Sequence, residues 1–314
     1  MNIDDIKEAR KRLSGVIKST SLIESKLPCN YKLYLKPENY QITGSFKIRG
    51  AFNKMSVLSR EEKEKGVIAC SAGNHAQGVA LTADMMGIKA IICMPKNAPK
   101  VKIDSTLNYG AKVVLVDGYY DDSYDKAIEL KEKNGYTFIH PFNDEDVIAG
   151  QGTIGLEIID ELKDVDVVVC SVGGGGLISG VALAIKEINP KIKVYGVQAQ
   201  NAPSMYASLA RGYVTKIYKG KTIADGINVK EVANVTLQYS QKYVDDVITL
   251  TEEEIVNAIK LLYEVDNIVV EGAGAATVAG VLSNKIPDIE NKNVVCILSG
   301  GNIDQGLLNR IIGG

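Results

Sequence analysis

At 314 residues, and at about 150 residues per domain, the chain has room for two domains with substantial cores. Hydrophobic residues make up 46% and charged residues 24%, which excludes wholesale disorder, and a net charge of −2 excludes the basic footprint of a nucleic-acid binder. His75 and His140 are the only histidines, so a metal site or a catalytic triad has to use one of them or do without.

The chain opens with MNIDDIKEARKRL, charged and amphipathic, with no apolar signal-peptide core; this predicts a cytoplasmic protein. The next feature is Thr43-Gly44-Ser45-Phe46-Lys47-Ile48-Arg49-Gly50. A lysine near a helix start is ordinarily a solvated side chain. The positive helix end disfavours an ammonium, however, and a lysine that must react as a free amine needs such surroundings. Phe46 beside it supplies an apolar wall.

From there, short apolar runs alternate with amphipathic segments. Strands are predicted at 67–70, 90–94, 113–116, 137–140, 167–171, 194–198, 247–250 and 294–298, mostly β-branched and bounded by Gly, Pro or charged residues. Helices are predicted at 74–86, 100–107, 122–133, 146–162, 177–188 and 252–265. This alternation argues for an α/β fold of parallel sheet covered by helices on both faces. Cys29, Cys70, Cys93, Cys170 and Cys296 form no CxxC and no disulfide framework; most sit in apolar runs and read as small buried hydrophobes in a reducing compartment.

Three strand ends share one design. CSAGNHAQG (70–78), CSVGGGGLISG (170–180) and LSGGNIDQG (298–306) each run from strand through Ser and Gly into a helix. Strand C-termini of a parallel sheet line one edge, where ligands bind, so the three loops are expected around one site. Gly173, Gly174, Gly175 and Gly176, followed by Leu177, form the strongest signal, a small-residue loop opening a helix and suited to a phosphate. A GxGxxG at 150–155 follows three acidic residues rather than a strand and fits a helix better than a dinucleotide site. The uncharged stretch from 167 to 185 is long enough to span a membrane, but its glycines make it strand, loop and helix. Gly220-Lys221-Thr222 lacks the earlier glycine of a phosphate loop. Glu271, after an apolar run, reads as a helix cap, with a site role as the alternative.

Taken together, SFKIRGA, ACSAGNHAQG, GQGTIGLEI, GGGGLISG, VEGAGA and SGGNID, in this order, resemble the fold type II pyridoxal-phosphate enzymes. Within that group the chain is similar to the L-threonine/L-serine dehydratases, near the catabolic threonine dehydratases (threonine ammonia-lyases). The resemblance implies two open parallel-sheet α/β domains of the tryptophan synthase β kind, with pyridoxal 5'-phosphate between them. The smaller domain would cover 43–141 and the larger 1–42 and 142–314. The chain stops soon after SGGNIDQG, so no C-terminal regulatory domain is expected within it.

The resemblance also implies roles. Lys47 would form the Schiff base and act as the base, with Phe46 packed beside the cofactor. Asn74 would meet the ring hydroxyl, and Gly173, Gly174, Gly175, Gly176 and Leu177 the phosphate. Gly226, in Ala224-Asp225-Gly226, would line the cofactor, and Ser299 would face the pyridine nitrogen. Being neutral, Ser299 would favour β-elimination over transamination. Ser71, Ala72, Gly73, Asn74 and His75 would take the substrate carboxylate; the plainer role for His75 is a local hydrogen bond at a helix start. Thr43, Gln77 and Asn302 match positions where relatives bind a purine monophosphate effector. No acid side chain presents itself to protonate the leaving hydroxide, which leaves the cofactor phosphate. The implied reaction converts L-threonine to 2-oxobutanoate, and L-serine to pyruvate, with ammonia. The implied assembly is a homodimer or homotetramer with an amino-acid substrate, no metal, no nucleic acid and no membrane. Alternatives are a serine racemase, a cysteine-synthase-type β-replacement enzyme, or a cofactor-binding regulator without turnover. The racemases carry a serine where this chain has Ala72, and acidic cation ligands where it has Gln198 and Ser204.

Overall fold

The computed structural model describes residues 1–98, 100–218 and 220–313; the final residue of the expected larger domain, Gly314, lies outside them. In chain order the first half runs α1 (Ile3–Leu13), β1 (Ile23–Glu24), β2 (Lys32–Lys36), α2 (Lys47–Ser56), α3 (Arg60–Lys65), β3 (Val67–Cys70), α4 (Asn74–Met86), β4 (Ala90–Pro95), α5 (Lys100–Asn108), β5 (Lys112–Val116), α6 (Tyr120–Asn134) and β6 (Thr137–Phe138). The second half runs α7 (Glu145–Glu161), β7 (Val167–Ser171), α8 (Gly176–Ile188), β8 (Lys193–Ala199), α9 (Ser204–Arg211), α10 (Asn234–Tyr243), β9 (Asp246–Leu250), α11 (Glu252–Asp266), α12 (Gly272–Leu282), β10 (Asn293–Ile297) and α13 (Gln305–Gly313).

The strands form two sheets, β5-β4-β3-β6 and β1-β2-β10-β7-β8-β9. Every pairing is parallel except β1 with β2. Central strands bury both faces, so they read as unbroken apolar runs rather than alternating ones; β7, VVVCS, is buried at every position. Each of the eight expected strands is present, and β1 and β2 were not foreseen. Cys70, Cys93, Cys170 and Cys296 are buried, Cys29 is half-buried, and all five are free thiols. No helix among the described residues is long and apolar enough to cross a membrane.

The GxGxxG of 150–155 lies inside α7, and its glycines serve helix contact. A Cβ on Gly150 would stand 2.5 Å from the Arg49 carbonyl oxygen, and one on Gly155 2.9 Å from that of Val181. Across the α7–α8 contact, a Cβ on Gly180 would stand 2.3 Å from the Ile148 oxygen and 2.6 Å from the Gly152 nitrogen. Backbone cannot move aside as a side chain can. Gly180→Ala is therefore expected to cost about 1–3 kcal/mol or more by overpacking. Urea unfolding measures it, and an unchanged midpoint would contradict this account of the α7–α8 contact.

Candidate active site

The site grows from the end of β10. The Phe46 N–H donates to the Ser299 carbonyl at 3.1 Å, the Gly301 N–H donates to Gly44 at 2.9 Å, and Ser45 bridges Gly300 in antiparallel fashion. These bonds deliver the chain to the strand end just as α2 begins at Lys47. The Lys47 amine donates to the Pro141 carbonyl at 3.3 Å and lies 5.1 Å from the centre of the Phe46 ring. Enclosure by the site walls pushes its pKa down to about 8, against the opposing charge of Glu271. Such a lysine is largely an ammonium at neutral pH, yet supplies free amine far more readily than a solvated one.

Next along the wall is Phe142, against which the 173–176 loop is pressed. A Cβ on Gly174 would stand 2.3 Å from the Phe142 ring, and one on Gly175, whose φ is +93°, 2.6 Å from Met205. The Thr236 hydroxyl donates to the Gly174 carbonyl at 2.8 Å and fixes the loop. Its glycines are thus required by close packing as well as by backbone shape. The first N–H groups of α8 are left without intrahelical partners, which is an anion-binding arrangement.

On the other side, β3 gives way to Ser71, Ala72 and Gly73 before α4 starts at Asn74. The Gly73 N–H donates to the Ser71 hydroxyl at 3.2 Å. His75 makes no local bond. Its Nε2 reaches the Ile139 carbonyl at 2.8 Å, 64 positions away in sequence. With Nε2 donating, Nδ1 is left as an acceptor, buried and without a partner. Burial, then the nearby Lys47 charge, lowers the His75 pKa to about 3, so the ring is neutral.

The four positions expected for the cofactor ring and its phosphate (Lys47, Asn74, the 173–176 loop and Ser299) are brought to this one place. Ser299 is buried. Gly226 sits where a Cβ would come within 3.3 Å of a Glu271 carboxylate oxygen. Of the expected effector contacts, the Asn302 amide donates to the Thr43 carbonyl at 2.9 Å and to Asn74 Oδ1 at 2.8 Å, while Gln77 is buried on α4. Gln198 spends its amide on backbone: Nε2 donates to the Val172 carbonyl at 3.1 Å, and Oε1 accepts from the Tyr206 N–H at 2.9 Å.

One group stands here that the sequence reading did not place, and a second that it read first as a helix cap. His140 lies beside Pro141 and Phe142, its Nδ1 accepting from the Phe142 and Asn143 N–H groups at 3.2 and 2.8 Å. Glu271 occupies the N-cap position of α12, as expected, but makes no side-chain cap bond; instead it accepts from the Asn74 amide at 2.7 Å. The sequence reading held a site role as the alternative to the cap.

An enclosed amine, a glycine cradle at a helix start and an unpartnered buried imidazole nitrogen fit an aldehyde-bearing phosphate ester. Comparison with known proteins agrees. The family model described as "Pyridoxal-phosphate dependent enzyme" matches residues 13–300. The chain belongs to the pyridoxal-phosphate-dependent enzymes. Its cofactor is pyridoxal phosphate, and it has the two parallel-sheet domains of fold type II. It is 52% identical to an L-threonine ammonia-lyase of Thermotoga maritima, with 99% of this chain and 78% of that protein covered. It is 49% identical to the catabolic L-threonine dehydratase TdcB of Escherichia coli K12, with 99% and 96% covered. Among solved structures, maize serine racemase superposes with a TM-score of 0.94 at 36% identity, covering 98% of this chain and 96% of that one.

Proposed function

We propose that this pyridoxal-phosphate enzyme is a threonine/serine ammonia-lyase, converting L-threonine to 2-oxobutanoate and L-serine to pyruvate, each with ammonia. The observation that carries the reading is the enclosed Lys47 amine, its pKa lowered to about 8, at the head of α2 and close to the glycine cradle. The names borne by the relatives of about half identity point the same way.

In this reading Lys47 anchors the cofactor, Phe46 packs beside it, and Asn74, Gly226 and Ser299 hold its ring. The 173–176 glycines and Leu177 hold its phosphate by N–H groups. When bound, pyridoxal phosphate stabilises the negative charge that develops at the substrate α-carbon. The Lys47 amine takes the α-proton, a task suited to a pKa close to working pH. The loop of Ser71, Ala72, Gly73, Asn74 and His75 takes the substrate carboxylate at the start of α4. Water is lost with the β-hydroxyl and regained on hydrolysis, so the net change is threonine to 2-oxobutanoate plus ammonia. Thr43, Gln77 and Asn302 would serve a nucleotide effector, and residues 43–141 would be the smaller domain. The active form would be a cytoplasmic homodimer or homotetramer.

Ala72 argues against racemisation, because a methyl group cannot deliver a proton to the opposite face. Incubation of the holoenzyme with L-threonine and L-serine, with assay of 2-oxoacid and D-serine, tests the reading. It expects 2-oxobutanoate and pyruvate. D-Serine at a rate comparable to pyruvate would replace it with a racemase, and absence of any 2-oxoacid would reject it.

A further inference from the structure

Glu271 is 5% exposed and is one of 38 Asp and Glu residues in the sequence, yet it stands apart in what it forgoes. At the N-cap of α12 a short acidic or hydroxyl side chain normally takes an N–H of the first turn. Glu271 leaves those groups and turns inward. Its backbone is pinned to the end of β10, the N–H donating to the Gly300 carbonyl at 3.1 Å, while its own carbonyl accepts from the Gly274 and Ala275 N–H groups at 2.9 and 3.0 Å. Two motif glycines leave room for the carboxylate. A Cβ on Gly300 would stand 2.6 Å from Glu271 Oε1 and 3.0 Å from the Asn74 amide nitrogen; one on Gly226 would stand 3.3 Å from the same oxygen.

The bonds beyond Glu271 form a directed chain. Asn302 Nδ2 donates to the Thr43 carbonyl, which can only accept, so the Asn302 amide has one orientation. The same Nδ2 donates to Asn74 Oδ1. That fixes Asn74 in turn, with its Nδ2 toward Glu271 Oε1 at 2.7 Å. One Asn74 Nδ2 hydrogen is spent on the carboxylate and the other is unspent. Asn74 follows a strand of the four-stranded sheet, whereas Glu271 and Asn302 flank β10 of the six-stranded one. The chain therefore ties the two halves of the site together.

We infer that Glu271 is a positioning residue for the elimination, its carboxylate, opposite the Asn302 amide, holding the Asn74 amide in the single orientation that leaves the second Nδ2 hydrogen for the cofactor. The inference rests on the reading of Asn74 and Lys47 as cofactor contacts. Charged groups face Glu271 from each side: Asp225 from the 3₁₀ turn at Asp225–Ile227, Lys102 from α5 and Lys47 from α2. Burial, then the Asp225 charge, raises its pKa to about 7, against Lys102, the Asn74 bond and Lys47. Its ionisation therefore falls within the working range. The ionised form accepts from Asn74 and favours the proton on Lys47; the protonated form weakens both effects.

Glu271→Gln keeps the shape and removes the titration. In the reconstituted enzyme without substrate, the absorbance of bound pyridoxal phosphate should shift with pH around neutrality, and Glu271→Gln should abolish that shift. Turnover should fall about tenfold with KM within about twofold, and the acid limb of the pH profile should flatten. In an Asn74→Ala background, Glu271→Gln should add little, because coupled residues are not additive. An unchanged pH-dependent spectrum in Glu271→Gln, or losses that multiply in the double variant, would overturn the inference. Borohydride reduction should leave a pyridoxyl group on Lys47 in wild type and variant alike; its absence from wild-type Lys47 would instead reject the functional reading beneath. If Glu271→Gln does not fold, infrared spectra of the wild type decide. A carboxylic-acid carbonyl band that titrates near pH 7 supports the inference, and no such band overturns it.

Discussion

Lys47→Ala is expected to lower turnover of L-threonine by at least about ten-thousand-fold, because in the proposed function anchor and base are lost together. Borohydride followed by peptide mapping should then find no pyridoxyl group at the start of α2. Activity within tenfold of wild type, or the label on another lysine, would contradict the assignment. The same substitution should not destabilise the apoprotein. An ammonium at a helix N-terminus opposes the helix dipole, and enclosure lowers the Lys47 pKa from 10.5 to about 8. Between those two values the unfolded chain binds more protons than the folded one, so wild-type stability rises with pH across that window. Below pH 8 the full penalty is present. The apo variant should therefore melt at or above the wild-type temperature at pH 7 and lose the rise between pH 8 and 10.5. Among the described residues the Lys47 side chain makes one hydrogen bond, to the Pro141 carbonyl, and a lysine that costs stability there fits the chemical role proposed for it.

The lysine at the start of α2 and the glycine loop before α8 were legible because each motif is local. SFKIRG and the 173–176 glycines lie within a few residues of sequence, and their helix starts follow from that spacing. Glu271 was not legible in the same way: its partner Asn74 is 197 positions away, and an acid after an apolar run reads as a cap. Strand β2, KLYLK, was missed because it ends in a lysine. Lys36 is buried in the fold, but nothing within the segment reveals Glu157 and Glu161, the carboxylates that neutralise it at 2.8 and 3.1 Å. Beyond its cap at Glu271, helix α12, GAGAATVAGVL, was not read, for the opposite reason. It is buried from Gly272 to Val281, so it carries no amphipathic period to detect. For His75 the readings were a carboxylate contact and a local hydrogen bond at the helix start, and neither reveals its bond to the Ile139 carbonyl, 64 positions away. What sequence hides here is pairing across the chain, and the acid in the site is one half of such a pair.

Arg49→Ala is expected to cost about 3–5 kcal/mol, the penalty for leaving a buried charge without its partner. Arg49 spends all five of its N–H donors. Nε and Nη2 each donate to Glu38 at 2.7 Å; Nη1 and Nη2 donate to Glu157 at 2.6 and 2.9 Å; Nη1 also donates to the Thr153 hydroxyl at 3.0 Å. The side chains of Arg49 and Glu38 are both 0% exposed. Without the guanidinium, Glu38 keeps only the Thr20 hydroxyl at 2.5 Å among these contacts, too little to hold a carboxylate out of water. Arg49→Lys should recover only part of the loss, since three donors on one nitrogen cannot span two carboxylates. The acid response should change as well. Burial pushes the Glu157 carboxyl up, but the Arg49 and Lys36 charges and bonds outweigh it and hold the pKa below 4.5. That contribution is present above the unfolded value and fades as pH falls through the folded one. The variant should therefore lose less stability than wild type on acidification below about pH 4.5. Urea unfolding at pH 7 and in acid measures both effects. A loss under about 1 kcal/mol at pH 7, the scale of a surface ion pair, would refute the assignment of this cluster as the support beneath α2. Because Arg49 follows Lys47 by two residues on that helix, the variant should also bind pyridoxal phosphate more weakly, the effect reaching the site through the helix rather than through a new contact.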